Sequence, residues 1–344
     1  MPEIGRKNKQ YHKSLADQVY EKLVSMQAFG ASKKQAVTDG TETDKIFSYG
    51  TYHAYKKQVK YFIQYMGQVH PECTTLDKAK RYVKEYLEYR EHQKKEDGTP
   101  AYSAWTMHLA TSALCKLFQI KKDDKNRYHA PKRRRSDIRR SRVGAARDKH
   151  FSVTNNDELI KFCQGTGLRR AGMQSIRGRD LFTATQIADE IARIEAVPVE
   201  GRTESDRKWL TILKDTLIFE NPRPEYYARV TEKGGRLRLS PIIGPYVEQI
   251  VKRFRDTAPD DRVWQYVNTN ADIHSYRADY CKEVYKLYAR PIDELMQIYD
   301  PRQVYICRRD EAGRRYDRGA LRKCSKALGH NRVDSVVSNY LRNL

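Results

Sequence analysis

The sequence predicts a mostly α-helical protein that carries a small antiparallel β-sheet in its second half. Apolar residues recur at helical spacing through most of residues 15–118. Further along the chain, Gly234 and Gly235 separate two strand-like segments, residues 226–230 and 236–241, and a Gly-Gly pair in that context is a hairpin signal. Helical patterns then return in residues 245–255, 274–288 and 320–327. Helices therefore dominate both halves, and the strands form one short pair.

The composition indicates a nucleic-acid partner and argues against a membrane protein. With 344 residues the chain is long enough for two domains. Its formal net charge of +22 is typical of a protein that binds a polyanion, although a highly soluble, ribosome-like surface is the alternative. No apolar run approaches the ~18 residues of a membrane-spanning helix, and residues 1–10 are too polar for a signal peptide.

Cysteine and histidine spacing predicts no metal site and no other cofactor. The six cysteines are scattered without a Cys-x-x-Cys pair, which argues against a zinc ribbon or a disulfide scaffold. The nine histidines are equally dispersed. Free cysteines fit a reducing compartment, so we expect a cytoplasmic protein that associates with the nucleoid when it is bound to DNA.

The first half is predicted to be entirely helical. Residues 1–43 form an extension with one helix, which Ser14 opens as its N-cap. Residues 44–122 carry three apolar stripes, the second preceded by Thr75 and the third by Ser103 as caps. Such stripes pack as a core, so these residues predict a compact helical domain.

A basic segment, residues 123–150, is predicted to link two domains. Residues 121–149 contain thirteen basic residues against four acidic ones, and too few apolar residues to form a core. We expect the run to contact the DNA backbone, and a solvated tether is the alternative. The candidate DNA-binding residues are Lys132, Arg133, Arg134, Arg135, Arg139, Arg140 and Arg142.

Three short blocks in residues 151–344, together with Tyr340, point to one family. The blocks are Thr166-Gly167-Leu168-Arg169, His274-Ser275-Tyr276-Arg277 and Leu328-Gly329-His330. In this order they resemble the signature of the tyrosine recombinase (phage integrase) family. The resemblance covers about residues 47–344, weakly in the first part and specifically in the second. It implies a helical core-binding domain followed by a mixed α+β catalytic domain.

Cleavage of a phosphodiester without metal or nucleotide requires groups that this signature supplies. Arginine suits the neutralisation of phosphate oxygens, because its planar fork stays protonated and bonds two oxygens at once. The resemblance places Arg169 and Arg277 as this phosphate clamp. A free tyrosine is a poor nucleophile, but nearby cations favour its phenolate, so Tyr340 becomes a candidate nucleophile that forms a 3′-phosphotyrosyl linkage.

The resemblance also assigns three proton-handling or phosphate-binding residues. Lys233 lies on the predicted hairpin loop, where the family carries its general-acid lysine, and the amine would protonate the leaving 5′ oxygen. His274 corresponds to the histidine that assists proton handling near the nucleophile. His330 corresponds to the histidine that bonds the scissile phosphate.

The chain departs from the family pattern in four places. Gly172 stands where the family has an acidic residue three positions after the first arginine, so support for Arg169 must come from elsewhere. Residues 182–225 are an additional segment with helical patterns, and the stretch between Arg277 and His330 is long, with a charged piece at residues 308–318. Four residues follow Tyr340, whereas many relatives carry a tail helix that docks on a neighbouring subunit.

The sequence therefore predicts a site-specific DNA recombinase, independent of metal and ATP, that acts as the integrase of a mobile genetic element. Alternatives are a chromosome-dimer resolvase or DNA invertase of the same family, a type IB topoisomerase, and a non-catalytic DNA-binding regulator with this fold. The expected partners are double-stranded DNA, three further copies of the chain in a homo-tetramer on two paired sites, and a DNA-bending accessory protein. Residues 182–225 and the N-terminal helix are the candidate subunit contacts.

Overall fold

The computed structural model describes residues 13–133, 151–232, 235–308 and 311–341. The chain divides into two compact units, Met1–Asp137 and Ile138–Leu344. The predicted fold class, mostly α with a small antiparallel sheet, is confirmed. No helix among the described residues is long and apolar enough to cross a membrane.

The first unit is built from helices in its described part. These are α1 Leu15–Ser25, α2 Lys33–Thr38, α3 Tyr49–Val69, α4 Leu76–Ala79, α5 Val83–His92 and α6 Ala104–Leu117. The side chains of Ser14 and Ser103 accept hydrogen bonds from the backbone of the first turns of α1 and α6, as their predicted roles as N-caps require. Thr75 precedes α4 but its side chain makes no capping bond.

One core holds the first unit together, and it includes parts that the sequence had assigned elsewhere. Val19 and Leu23 of α1 are buried in the same cluster as Phe62 of α3 and Leu114 of α6. Residues 15–25 are therefore a layer of the helical unit and not a separate extension. Tyr128 also packs into this core, and its hydroxyl donates to Glu91 Oε2 at 2.7 Å, so the ordered unit continues beyond the predicted start of the linker at residue 123.

The second unit combines helices with two small sheets in its described part. Its helices are α7 Asp157–Thr166, α8 Arg170–Ser175, α9 Ala184–Glu195, α10 Glu204–Lys214, α11 Val247–Arg255, α12 Ile273–Tyr288, α13 Ile292–Gln297, α14 Arg318–Ala327 and α15 Val333–Asn339. Its strands are β1 Leu181–Thr183, β2 Tyr226–Glu232, β3 Arg236–Pro241, β4 Val304–Ile306 and β5 Arg315–Asp317.

The predicted hairpin is present and slightly longer than expected. β2 lies between β1 and β3, and all three run antiparallel. Glu232 pairs with Arg236 at the end of the β2–β3 ladder, next to the turn. Two three-residue strands, β4 and β5, form a separate antiparallel pair in the long stretch before α14.

Two apolar clusters fill the second unit, and α12 contributes to both. Ile273 lies in the cluster around α7, α8 and α11, whereas Ala278 lies in the cluster around α14 and α15. Ile187 of α9 and Leu213 of α10 are fully buried in the second of these clusters. Residues 182–225 are therefore built into the core of the unit rather than appended to its surface.

Candidate active site

Gly167 ends α7 and turns the chain sharply, two residues before the predicted site residue Arg169. It ends α7 with a φ of +60°, in the left-handed region that favours glycine. A Cβ at this position would lie 2.2 Å from Cδ1 of Tyr280, so the close packing on α12 also requires glycine. The chain then becomes extended at Arg169, which directly precedes α8 and is one-third exposed at its side chain.

Arg277 ties two loops together from the first turns of α12. Asp272 caps this helix by accepting a hydrogen bond from the Ser275 amide at 3.1 Å. Arg277 is 2% exposed; its Nη1 donates to the Gly167 carbonyl and its Nη2 donates to the Leu328 carbonyl at 3.1 Å. The guanidinium therefore holds the turn before Arg169 against the turn before His330.

A turn at Gly329, directly after α14, positions His330. Gly329 has a φ of +69°, and the His330 amide donates to the Ser325 carbonyl at 2.8 Å. The Ser325 hydroxyl in turn donates to the His330 carbonyl at 3.0 Å. These bonds fix the backbone on both sides of the imidazole, so the ring position is set by the end of the helix.

Tyr340 lies among the other predicted site residues. Its hydroxyl is 3.2 Å from Nε2 of His330. Its ring stacks on the His274 ring, with 5.1 Å between centroids and 16° between planes, and the Arg277 guanidinium carbon is 5.7 Å from its centroid. Tyr340 is 5% exposed and follows α15, whose Val336 and Val337 are buried.

The surroundings of His330 keep its imidazole neutral. Burial lowers its pKa to about 4, helped by the nearby charges of Arg277 and Arg169. A neutral imidazole has one nitrogen free to accept a hydrogen bond. In the tautomer protonated at Nδ1, His330 Nε2 accepts from the Tyr340 hydroxyl. The arrangement thus offers a phenol with a proton acceptor beside guanidinium groups.

A buried carboxylate that the sequence analysis did not identify lies between the arginines. Oε2 of Glu232 accepts from Arg169 Nη1, and its Oε1 accepts from Arg238 Nη2 at 2.8 Å. Oε1 also lies 4.0 Å from Arg277 Nη1. Burial by itself raises the pKa of Glu232, but Arg238 and Arg169 together bring it below its ordinary value. The carboxylate is therefore ionised.

Arg238 is the second residue that the sequence analysis missed. It is 6% exposed, and its Nη1 donates to the Ala327 carbonyl at 2.5 Å. Burial lowers its pKa to about 10, so it still carries its charge at neutral pH. For Glu232, the sequence contained one signal. Ala228, Val230 and Glu232 alternate along β2, which puts the Glu232 carboxylate on the inward face of the strand.

The structure thus brings together Arg169, His274, Arg277, His330 and Tyr340. Lys233, the predicted general acid, lies outside the described residues. The same holds for the linker positions Arg134, Arg135, Arg139, Arg140 and Arg142, whereas Lys132 and Arg133 are described and exposed. Within the described residues, no group of histidine, cysteine, aspartate or glutamate side chains could hold a metal ion.

No protein-family model matches the chain, and no curated protein matches its sequence.

Proposed function

We propose that the chain is a tyrosine site-specific recombinase, which cleaves and rejoins DNA strands through a 3′-phosphotyrosyl intermediate. The observation that carries the proposal is the surroundings of Tyr340. Its hydroxyl is 3.2 Å from a neutral histidine, and its ring lies against His274 and near Arg277. Buried structural tyrosines also find hydrogen-bond partners, so the support comes from the whole set: an acceptor histidine, a second histidine and an arginine of the three motif blocks all lie around Tyr340.

The proposed reaction uses these groups in sequence. The Tyr340 oxygen attacks the scissile phosphorus while its proton passes to His330 Nε2, which replaces the phosphate contact that the resemblance implies for this histidine. The bond between phosphorus and the 5′ oxygen breaks, and Lys233 gives a proton to that oxygen. Arg169 and Arg277 stabilise the negative charge that develops on the non-bridging oxygens. The phosphotyrosyl ester conserves the energy of the broken bond, so religation requires neither ATP nor metal.

The remaining parts of the chain fit this assignment. The first unit would serve as the helical core-binding domain, and residues 151–344 as the catalytic domain. The net charge of +22 supports a DNA partner. We further propose that the protein is the integrase of a mobile genetic element and works as a tetramer on two paired sites, because exchange of four strands requires four nucleophiles. Any N-terminal subunit contact must use the exposed face of α1, for example Tyr20, since Val19 and Leu23 are buried.

The decisive experiment replaces Tyr340 with phenylalanine. The substrates are duplexes from the DNA that flanks the coding sequence of this chain, nicked so that the short fragment released on cleavage diffuses away. Wild-type protein should become attached covalently to the 3′ side of the break, in a product that survives denaturation. Tyr340→Phe should fold and bind the same DNA without forming the adduct, because only the hydroxyl is lost. Tyr266→Phe, at an exposed tyrosine of the same unit, is the matched control and should form the adduct normally.

Three outcomes would count against the proposal. An adduct that persists in Tyr340→Phe would assign the nucleophile elsewhere. Loss of the adduct in EDTA would mean that a metal takes part. A wild-type protein that binds a specific duplex and never forms an adduct would favour a non-catalytic DNA-binding regulator.

A further inference from the structure

Glu232 is a buried carboxylate, and the transfer of a carboxylate from water into a protein interior is energetically unfavourable. It is the last residue of β2 and is 6% exposed, on the same inward face as Ala228 and Val230. An ionised carboxylate loses its hydration in such a place, and removal from water is tolerated only when charged partners replace it. A residue of this kind therefore has a specific partner.

Its partners all belong to the proposed phosphate site or adjoin it. One oxygen accepts from Arg169, and the other accepts from Arg238 at 2.8 Å and lies 4.0 Å from Arg277. Three guanidinium groups thus surround a single carboxylate, and positive charge remains in excess. Glu232 holds the arginines together without cancelling their attraction for a phosphate.

Arg238 extends this contact to the turn that carries His330. Its Nη1 donates to the Ala327 carbonyl at the end of α14. A Cβ at Gly329 would lie 2.9 Å from the Cδ and Nε atoms of Arg238, so the turn packs directly on this side chain. Glu232 consequently connects Arg169 on one loop with the backbone that positions His330 on another.

Gly172 explains why this carboxylate comes from the strand and not from α8. A Cβ at Gly172 would lie 2.7 Å from Cγ2 of Val230, so the helix packs against β2 with no space for a side chain. Val230 precedes Glu232 by two residues on the same face of the strand. The close approach of helix and strand therefore brings the strand's own carboxylate within reach of Arg169.

We propose that Glu232 is a positioning residue that aligns Arg169 for the scissile phosphate and couples it, through Arg238, to the turn that carries His330. The inference rests on the proposed function, because it assigns to Arg169 the binding of that phosphate. Glu232 itself does not touch the substrate and transfers no proton.

The test compares Glu232→Gln with the wild-type chain in the covalent-adduct assay. The amide keeps the shape of the side chain but cannot hold two guanidinium groups as an anion does, and misplacement of a phosphate ligand by about 1 Å costs about 100-fold in rate. We expect a loss of that order with a normal phosphodiester. Asp180→Asn is the matched control, because Asp180 forms a partly buried ion pair with Arg229 Nη2 at 2.8 Å outside the arginine cluster, and it should keep the wild-type rate.

Two readouts separate positioning of Arg169 from a general structural role. A methylphosphonate at the scissile position lacks the charged oxygen that a guanidinium neutralises, so the loss in Glu232→Gln should shrink with this substrate. In an Arg169→Ala background the same substitution should add a smaller loss than in the wild-type chain, since the part that acts through Arg169 is already gone and only the coupling through Arg238 remains. Equal losses with both substrates, or a full additional loss in the Arg169→Ala background, would overturn the inference.

Failure of the inference can be told from failure of the proposed function. A wild-type chain that forms no adduct with the normal phosphodiester contradicts both. A wild-type chain that forms the adduct while Glu232→Gln does so at the same rate contradicts the inference alone. If Glu232→Gln does not fold, Glu232→Asp keeps the charge on a shorter side chain, and its smaller loss should show the same dependence on the substrate.

Discussion

Both units of this protein bury an arginine, and the two are held in different ways. In the helical unit, Arg90 is 3% exposed, and its Nη1 donates to Gln58 Oε1 at 2.9 Å and to the Tyr86 hydroxyl at 3.2 Å. Its guanidinium carbon lies 3.9 Å from the centroid of the Tyr102 ring. In the second unit, Arg277 is buried to a similar degree but donates to two main-chain carbonyls beside Tyr340.

Under the proposed function, the difference separates an arginine that stabilises a fold from one that binds a phosphate. Arg90 is enclosed by neutral groups and aromatic faces, which stabilise its guanidinium although its buried Nε has no hydrogen-bond partner. Arg277 belongs to a cluster in which Arg169, Arg238 and one carboxylate leave positive charge uncompensated, and the side chain of Arg169 is one-third exposed. Excess charge near a surface opening is stabilised when an anion binds there.

Replacement of each arginine by lysine should affect a different property of the protein: adduct formation for Arg277 and stability for Arg90. The loss of adduct formation is the largest effect that we expect. Lysine cannot bridge the carbonyls of Gly167 and Leu328 from one planar group, so Arg277→Lys should lower the rate of adduct formation by about 100- to 1000-fold. Arg90→Lys should lower the free energy of unfolding by about 2 kcal/mol and leave the rate per folded molecule unchanged. Denaturant unfolding and the adduct assay measure the two effects.

The reverse pattern would show that the comparison is mistaken. If Arg90→Lys slowed adduct formation without loss of stability, the helical unit would take part in the chemistry. If Arg277→Lys lost stability alone, the cluster around Glu232 would be structural.

The sequence predicted the elements whose pattern is long and regular. The stripes that became α3 and α6, the hairpin at Gly234 and Gly235, and helix α12 were all visible in the spacing of apolar and turn residues. The short helix α2 and the three-residue strands β1, β4 and β5 were missed. Elements of that length contain too few residues to show a period, and tertiary contacts decide their conformation.

Only part of the candidate site was visible in the sequence, for the same physical reason. Arg169, Arg277 and His330 belong to short local motifs that can be read from the sequence. The alternation along β2 marks Glu232 only as an inward position, and its contacts with the arginines depend on the register of β2 against β3 and on α8 packing at Gly172. Membership of α1 in the helical core depends likewise on contacts between Val19 or Leu23 and residues far along the chain.

A smaller effect is expected in the basic segment between the units, where exposed positive charges are predicted to contact the DNA backbone. Replacement of Arg133, Arg134 and Arg135 by alanine should weaken binding to all DNA sequences alike. Each lost phosphate contact should reduce the slope of log affinity against log salt by about 0.9. Fluorescence anisotropy over a salt series measures that slope.

A charge-matched control makes this result specific to the linker. Lys208, Lys252 and Lys286 are exposed and already paired with the nearby carboxylates of Glu204, Asp256 and Glu283, so their joint replacement by alanine should change the slope less. Equal changes in the two triple variants would mean that net charge matters and that the segment is only a tether.

The smallest effect concerns protonation of His330. Because its pKa in the folded protein is about 4, against an ordinary value of 6.5, the unfolded chain binds this proton more readily between those two pH values. Stability is therefore complete above about pH 6.5 and falls as the pH decreases towards 4. His330→Asn removes the titration, so the loss of stability between pH 7 and pH 5 should be about 1 kcal/mol larger in the wild-type chain, allowing for solvent screening of a partly exposed ring.

NMR of the imidazole signals should give a pKa near 4 for His330. A pKa near 6.5, or equal losses in the two proteins, would mean that the ring is charged in weakly acidic solution and does not accept the Tyr340 proton there.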